Sequence, residues 1–190
     1  HSKIDAVIAG DECRVGIDST VLDMTGDVPT ILRPGIITAE NIEAAIDKKV
    51  KYDESLFVRP EEGDLDPDIA AAEGPAMDGA ANDFRPKAPG MKYKHYAPKA
   101  EVTLVKGAFH AYCNYVAVHA GPGVFALCYE GEEAALCVPA VAYGRKEDAA
   151  SQAHALFAAL RELDRRGART VYARCPREDG VALAVYNRIL

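Results

Sequence analysis

The chain has 190 residues, of which 49% are hydrophobic and 27% are charged. It can therefore bury a hydrophobic core, and its length suits one or two domains. No apolar run approaches the roughly 20 residues that a membrane-spanning helix needs, and the first residues show no signal-peptide pattern. The formal net charge of −7 arises in residues 51–86, which hold ten acidic and three basic residues. The remaining charges balance, so the acidity of the chain says little about its binding partners.

Residues 1–49 are predicted to form three short strands followed by one helix. The strand-like runs are KIDAVIAG, STVLDMT and PTILRPG, which are rich in residues that favour strands. The helix TAENIEAAIDKK should begin after Thr38, with Asn41 in the place of the Glu or Gln of a capping box. Its apolar residues are expected to share one face: Ile42, Ala45 and Ile46. Because three short strands and one helix cannot close a core, we expect at least one bare apolar face.

Two contrasting segments follow this helix. Residues 50–86 are acidic and show little hydrophobic periodicity, so we interpret them as a solvated or partly disordered linker. Residues 87–99, which contain APGMKYKHYAPK, hold four lysines and no acid. Their prolines and glycine interrupt any helical pattern. Cations and aromatic rings are therefore concentrated in a segment whose sequence is that of a linker.

Residues 100–190 alternate between strand-like and helix-like patterns. The strand-like segments are EVTLVK, GVFALCY and TVYARC, with ALCVPAVAY as a further extended piece. Helical periodicity is found in GAFHAYCNYVAVHA, in KEDAASQAHALFAALRELDRRG, which should end at Gly167, and in DGVALAVYNRIL. The long middle helix has an apolar stripe: Ala153, Leu156, Phe157, Leu160 and Leu163. Such alternation predicts a small α/β sandwich with a largely parallel sheet.

The cysteines form no CxxC pair, and none lies at zinc-ligand spacing from a histidine. They are Cys13, Cys113, Cys128, Cys137 and Cys175. We interpret them as buried, reduced thiols of a cytoplasmic protein.

Two short stretches place polar side chains where a ligand can reach them. In GIDSTV, Ser19 and Thr20 put two hydroxyls at the start of a strand, where they can hold a carboxylate or amino group of a small ligand. In ILRPG, Arg33 ends an apolar strand, where its guanidinium can bind a phosphate through two nitrogens. The alternatives are ordinary turn residues and a surface arginine. Spacing alone favours these alternatives at both places.

Three stretches taken together resemble a known family: GIDSTVLDMT, PTILRPGIIT and APGMKYKHYAPKA. They are similar to motifs of the two-domain threonylcarbamoyl-AMP synthases of the YrdC/Sua family, and the resemblance covers essentially the whole chain. It implies an α/β fold in three parts. Residues 1–49 would be the carboxyl-terminal part of a YrdC-like catalytic domain, 50–99 an extended linker, and 100–190 a small Rossmann-like α/β sandwich with a largely parallel sheet.

The resemblance also implies an activity. Enzymes of this family convert L-threonine, bicarbonate and ATP, with Mg²⁺ held mainly by the nucleotide, to L-threonylcarbamoyl-adenylate and pyrophosphate. Other proteins then transfer the threonylcarbamoyl group to tRNA. By the matching motifs, Ser19 would contact threonine, and Arg33 and Tyr96 would contact ATP. Further contacts are expected from four residues: Thr20, Lys92, Lys94 and His95. No catalytic base and no metal ligand are expected in this chain.

The departures from the family pattern concern the amino-terminal half. The family's lysine- and arginine-bearing motif and its S-x-N motif, which supply much of the threonine and ATP pocket, are absent. The chain therefore resembles the carboxyl-terminal portion of such an enzyme, cut within its catalytic domain, and we expect it to be inactive alone. The acidic stretch 51–86 also looks longer than the family's usual connection.

Two questions stay open at this point. Residues 87–99 are either a lid, whose lysines and tyrosines close over a triphosphate, or a linker docked between domains with its lysines in solvent. For the whole chain, the alternative function is a non-catalytic regulatory module that binds RNA or a protein partner. Four lysines are a small footprint for a nucleic acid, so we do not expect this chain to bind tRNA directly.

Overall fold

The structure, a computed structural model, describes residues 15–57, 70–73 and 98–189, together with the isolated positions 6, 8, 10 and 13. The first part of the chain forms a small sheet with one helix: β1 (Val21–Asp23), β2 (Thr30–Arg33), α1 (Ala39–Ile46) and β3 (Lys51–Tyr52). A 3-10 turn, Glu54–Leu56, follows β3. Strand β2 lies in the centre, antiparallel to β1 and parallel to β3.

Helix α1 begins where the sequence indicates. Thr38 is its N-cap, and the hydroxyl of Thr38 accepts a hydrogen bond from the backbone N–H of Asn41. The Asn41 side chain in turn accepts one from the backbone N–H of Thr38 at 3.1 Å, which completes the predicted capping box. On the predicted apolar face, Ile42 and Ile46 are partly covered, whereas Ala45 is exposed. The helix is eight residues long and ends at Asp47 in the left-handed conformation. It packs against Ile31 and Leu56 through Ala39 and Ile42.

The second part of the chain contains the larger sheet and three helices. In chain order these are β4 (Ala70–Glu73), β5 (Glu101–Lys106), α2 (Phe109–Val118), β6 (Val124–Cys128), β7 (Ala140–Ala142), α3 (Ala149–Arg165), β8 (Thr170–Arg174) and α4 (Gly180–Ile189). A 3-10 turn, Glu133–Ala135, lies between β6 and β7. The strand order is β4-β5-β8-β6-β7, and all neighbouring pairs are parallel except the antiparallel edge pair β4 and β5. This confirms the predicted α/β architecture with a largely parallel sheet.

Strand residues alternate between the two faces of this sheet. Leu104, Leu127 and Ala173 face one core, which holds the buried sides of α3 and α4. Their neighbours Val105 and Cys128 face the opposite core, beneath α2. In an extended strand, successive side chains point to opposite faces of the sheet. Helix α2 therefore covers one face, and α3 and α4 cover the other.

The ends of α3 are specified locally. Asp148 is its N-cap and accepts a hydrogen bond from the backbone N–H of Ser151 at 3.0 Å. At the other end Gly167 has a φ of 76°, and the N–H of Ala168 reaches back to the carbonyl of Leu163 at 3.0 Å. This confirms Gly167 as the end of the helix. The predicted apolar stripe is buried except at Phe157, which is only partly covered.

The acidic segment contains secondary structure that the sequence analysis did not predict. Strand β3 pairs with β2 at Thr30 and Ile31, and strand β4 pairs with the whole length from Thr103 to Lys106 in β5. Residues 51–56 and 70–73 therefore contain regular structure, which the interpretation as a solvated or partly disordered linker did not place. The reason is compositional, since the run AAAE in β4 lacks the β-branched and aromatic residues by which strands are recognised. The predicted strand KIDAVIAG lies largely outside the described residues.

The five cysteines are free thiols, as predicted, but only Cys128 is fully buried. Cys13 and Cys137 are exposed, and Cys113 and Cys175 are partly covered. The prediction of five buried thiols is therefore wrong at four positions, because neighbouring apolar residues in the sequence do not fix which way a side chain points. None of the described helices is both long and apolar enough to span a bilayer.

Candidate functional site

Strand pairing brings the two predicted ligand-binding stretches together. Ser19 and Thr20 directly precede β1, and Arg33 is the last residue of β2. Because β1 and β2 are antiparallel, with Val21 opposite Arg33, the start of one strand lies at the end of the other. The Nε of Arg33 donates a hydrogen bond to the backbone carbonyl of Ser19 at 3.0 Å. One end of the small sheet therefore presents a hydroxyl beside a guanidinium.

The Pro-Gly turn after Arg33 packs against the backbone of the Ser19 stretch. A Cβ added at Gly35 would lie 2.4 Å from the amide nitrogen of Thr20 and 2.7 Å from the carbonyl oxygen of Asp18. Only glycine fits such an approach of two backbones. Pro34 and Gly35 are both buried. The LRPG sequence thus fixes the position of Arg33 relative to Ser19 through close packing of the main chains.

The two hydroxyls of the site differ in what they can offer a ligand. Ser19 is exposed, and its hydroxyl can both donate and accept hydrogen bonds. The hydroxyl of Thr20 donates to the backbone carbonyl of Ile37 at 2.6 Å. A ligand would therefore meet Thr20 as an acceptor, whereas Ser19 suits either a carboxylate or an ammonium group.

An ion pair that the sequence analysis missed stands directly beside this site. Asp18 contacts Arg188 of α4, with 2.5 Å between Oδ2 and Nη2, and the Arg188 side chain is only 9% exposed. Burial lowers the pKa of Arg188; Asp18 opposes this effect and the nearby guanidinium of Arg33 adds to it. Two arginines and one carboxylate thus share one small region. No local pattern in the sequence connects residues so far apart in the chain.

Other contacts hold the same stretch against the second part of the chain. A Cβ at Gly16 would lie 2.4 Å from the carbonyl oxygen of Ala153, so the chain passes directly over the backbone of α3. Ile17 packs against the core formed by α3, α4 and the large sheet. The side-chain amide of Asn187 donates to the carbonyl of Leu56 at 2.8 Å. The segment that carries Ser19 therefore packs against α3, and α4 contacts the same part of the chain.

Tyr96, Lys92, Lys94 and His95 all lie outside the described residues. Across the described part of the chain, no three His, Cys, Asp or Glu side chains come together as a metal site.

The chain matches the family described as "Threonylcarbamoyl-AMP synthase, C-terminal domain" over residues 37–190. Among curated proteins, it is similar to the threonylcarbamoyl-AMP synthases of Pyrococcus abyssi, at 33% identity over 195 residues, and Bacillus subtilis, at 29% over 191 residues. It also resembles that of Schizosaccharomyces pombe, at 29% identity. The matches cover 99–100% of this chain and 45–49% of those proteins. The chain thus spans about half the length of the curated relatives it matches.

Two solved structures share the fold of this chain. One is the crystal structure of P. abyssi Sua5 complexed with L-threonine, with a TM-score of 0.71 and 31% identity, covering 100% of this chain and 49% of that one. The other is a variant of P. abyssi Sua5 with an adjacent histidine and tyrosine changed to alanine, with a TM-score of 0.67 and 30% identity. It covers 93% of this chain and 44% of that one. With four fifths of its length matched, the chain belongs to the family of the threonylcarbamoyl-AMP synthase C-terminal domain.

Proposed function

We propose that this chain is the distal half of an ATP-dependent L-threonylcarbamoyladenylate synthase. The enzyme would convert L-threonine, bicarbonate and ATP to threonylcarbamoyl-AMP, pyrophosphate and water, and downstream proteins would pass the threonylcarbamoyl group to tRNA. The observation that carries the proposal is the contact between Arg33 and Ser19 at the end of the small sheet, in a chain of this family. An exposed serine whose own carbonyl holds a guanidinium suits an amino acid lying beside a phosphate.

In this proposal the two residues have different ligands. Ser19 holds L-threonine, the molecule with which P. abyssi Sua5 was crystallised. Arg33 contacts an ATP phosphate with a guanidinium that the Ser19 carbonyl and the Pro-Gly turn have already oriented. An oriented guanidinium loses little conformational entropy when it binds, so it suits this task better than a mobile surface arginine.

The basic linker supplies the remaining contacts. Tyr96 would reach ATP, with Lys92, Lys94 and His95 lying over the triphosphate as a lid. His95 and Tyr96 are an adjacent histidine–tyrosine pair, the type of pair altered in the P. abyssi double variant. We also propose that Thr20 accepts a hydrogen bond from the ligand, since its proton is donated to Ile37.

Mg²⁺ would enter this site with the nucleotide. The carboxylate next to Ser19 belongs to Asp18, which is paired with Arg188, and the described residues contain no cluster of metal-ligating side chains. The phosphate oxygens of ATP would therefore hold most of the ion, as hard oxygen ligands do. When bound, Mg²⁺ neutralises charge that develops on the departing pyrophosphate.

The chain's own residues would act by binding and orientation. The carbamate carboxylate of N-carboxythreonine attacks the α-phosphorus of ATP. The bond between that phosphorus and the oxygen bridging the α- and β-phosphates breaks, and its electron pair leaves with pyrophosphate. Arg33 and the linker lysines stabilise negative charge during this step. Because a carboxylate is already a nucleophile at neutral pH, this chain needs no general base. The free thiols of the chain fit a reducing compartment, and we propose the cytoplasm.

The test uses a chimera in which the amino-terminal half of the P. abyssi synthase precedes residues 1–190. We expect pyrophosphate release from ATP that requires both L-threonine and bicarbonate, and no such release from the 190-residue chain alone. Clear turnover by the isolated chain would contradict the proposed division of the pocket. A folded chimera, judged by circular dichroism, that binds neither ATP nor threonine would contradict the proposed function.

Single variants of the chimera test the assignment of Arg33. Losing a charge-assisted phosphate contact costs about 1.5–3 kcal/mol, so Arg33→Ala should weaken ATP binding roughly tenfold to 150-fold in calorimetry. Arg33→Lys should recover only part of the loss, because an ammonium lacks the planar fork. Tyr96→Ala should cost less, about 1 kcal/mol, since a lid residue mainly slows release. Arg169→Ala is the matched control, because Arg169 is exposed and precedes β8 of the large sheet, whereas Ser19 and Arg33 belong to the end of the small sheet.

A further inference from the structure

The large sheet contains a point at which two neighbouring strands send their connections to opposite faces. Strand β5 continues into α2, which covers one face, and strand β8 continues into α4, which covers the other. These two strands are adjacent and parallel. Since their outgoing loops diverge, a crevice opens between them at the carboxyl ends of the strands. In open α/β sheets this is the place where ligands bind.

A cavity of about 290 Å³ occupies this crevice. It is lined by the β5–α2 loop with the first residue of α2 (residues 107–109) and by the last residue of β8 with the loop that follows (residues 174, 175 and 177), together with Tyr129, Lys146 and Glu147. A volume near 300 Å³ is at the small end of sites for small molecules. None of its walls comes from the part of the chain that carries Ser19 and Arg33. The cavity is therefore separate from the site described above.

The residues that line the cavity carry more positive than negative charge, and each of the three cations also has a carboxylate within 4 Å. Its cations are Lys146, Arg174 and Arg177, against the single carboxylate of Glu147. Two of these cations have surface partners: Arg177 lies 2.5 Å from Asp179, and Lys146 lies 3.9 Å from Glu147. Both pairs are largely exposed, and exposed pairs hold their members weakly. Lys146 and Arg177 can therefore turn to an anionic ligand at little cost.

Arg174 contributes a buried guanidinium to the wall of the cavity, and this guanidinium is paired with the Glu132 carboxylate. It is 5% exposed, and its guanidinium carbon lies 5.3–5.6 Å from the ring centres of Phe109, Tyr112 and Tyr129. Its Nη1 donates to the carbonyl of Gly107 at 3.0 Å. Its buried Nε lies 3.3 Å from the Glu132 carboxylate but makes no hydrogen bond. A buried donor without a hydrogen bond is costly unless a ligand or water completes it.

Helix α2 adds a second group of donors to the same crevice. Its N-cap, Ala108, has no side chain that can accept a hydrogen bond from the first turn, and Ala108 and Phe109 line the cavity. The uncapped N–H groups and the positive end of the helix dipole favour an anion. The thiol of Cys175 does not repel an anion, because burial raises its pKa to about 11 and the thiol is therefore neutral at physiological pH.

We propose that the cavity between the β5–α2 and β8–α4 loops binds a small phosphate-bearing molecule. The phosphate would lie at the first turn of α2, with Lys146 and Arg177 at the mouth and Arg174 behind it. The aromatic ring of Phe109, which is only partly covered, would contact the remainder of the ligand. This site belongs to the second part of the chain and does not depend on the proposed synthase reaction.

The experiment is calorimetric titration of the 190-residue chain with inorganic phosphate, pyrophosphate and AMP. We expect at least one of these probes to bind, and Lys146→Ala and Arg177→Ala each to weaken its binding about tenfold, as loss of one charge-assisted contact does. Both residues are exposed, so their loss should leave folding intact. Tighter binding of AMP than of inorganic phosphate would show that the walls also contact the organic part.

Two control variants separate this cavity from other anion sites. Arg169→Ala removes an exposed arginine at the opposite ends of the strands and should bind the probe as the parent chain does. Arg33→Ala removes the cation of the first site and therefore reports how much of the measured binding belongs to that site. Binding that is lost in Arg33→Ala but kept in Lys146→Ala and Arg177→Ala would overturn the proposal. Failure of all three probes to bind the parent chain at millimolar concentration would also overturn it.

Discussion

At the scale of single residues, glycines rather than charged groups determine the geometry of the Ser19–Arg33 site. Gly35 lies so close to the backbone of Asp18 and Thr20 that any side chain at position 35 would push the Pro-Gly turn and the Ser19 stretch apart. Gly26, in the turn between β1 and β2, has no atom within 4 Å of the position where a Cβ would be. The two glycines therefore provide a matched pair in one small sheet.

We predict that Gly35→Ala lowers the free energy of unfolding by about 1–3 kcal/mol, as overpacking of a buried site does. Gly26→Ala should leave it unchanged or raise it slightly, since alanine reduces the entropy of the unfolded chain. Urea denaturation of both variants measures the difference. Equal stability of the two variants would show that the close approach at Gly35 is not a packing constraint.

At the scale of secondary structure, short-range signals and long-range pairing act on different elements. The capping box of α1 involves residues three apart, and it is found where the sequence indicates. Strand β4 owes its conformation to hydrogen bonds with β5, about 30 residues later in the chain. Alanine prefers helices to strands, so tertiary pairing here overrides the local preference.

We predict that Thr38→Ala destabilises the part of the chain that contains α1 by about 1 kcal/mol, because the first turn loses its side-chain acceptor. Thr38→Ser is the matched control and should retain most of the stability, since serine caps helices equally well. Thermal unfolding followed by circular dichroism compares the three chains. If serine and alanine lower the melting temperature equally, the cap is not the source of the effect.

At the scale of the whole molecule, contacts with α3 and α4 hold the Ser19 stretch in place. Gly16 crosses the backbone of α3, Asp18 pairs with Arg188, and Asn187 binds the carbonyl of Leu56. Three apolar residues in the segments that connect the elements of the small sheet are exposed: Met24, Val28 and Ile37. Among the described residues, the small sheet and α1 bury only a small cluster of their own, Ile31, Ala39 and Leu56.

We predict that Arg188→Ala increases amide hydrogen exchange in residues 16–35 while the exchange of the large sheet stays unchanged. The pair joins the Ser19 stretch to α4, so its loss should allow local opening there without global unfolding. Arg165→Ala is the control, because Arg165 is an exposed arginine whose ion pair with Glu162 lies within α3. Unchanged exchange in 16–35, or an equal rise in both sheets, would contradict a supporting function of the Asp18–Arg188 pair.

Local patterns in the sequence were enough to predict the architecture of the large sheet, two helix ends and the family. Alternating strands and helices predicted the large parallel sheet, Thr38 and Gly167 marked helix ends, and three motifs indicated the family. Each of these signals spans a few residues or one element, where periodicity and capping act. They also placed a hydroxyl and a guanidinium at strand ends, although spacing alone favoured ordinary turn and surface residues.

Only the tertiary structure decided which of these residues meet. The antiparallel pairing of β1 and β2 brings Arg33 to Ser19, and the docking of α4 brings Arg188 to Asp18. The divergence of the loops after β5 and β8 opens the cavity of about 290 Å³. Packing between elements also decided which side chains are exposed, as at Ala45 and the cysteines. These contacts join residues distant in the chain, and their energy depends on packing against partners that no local sequence window contains.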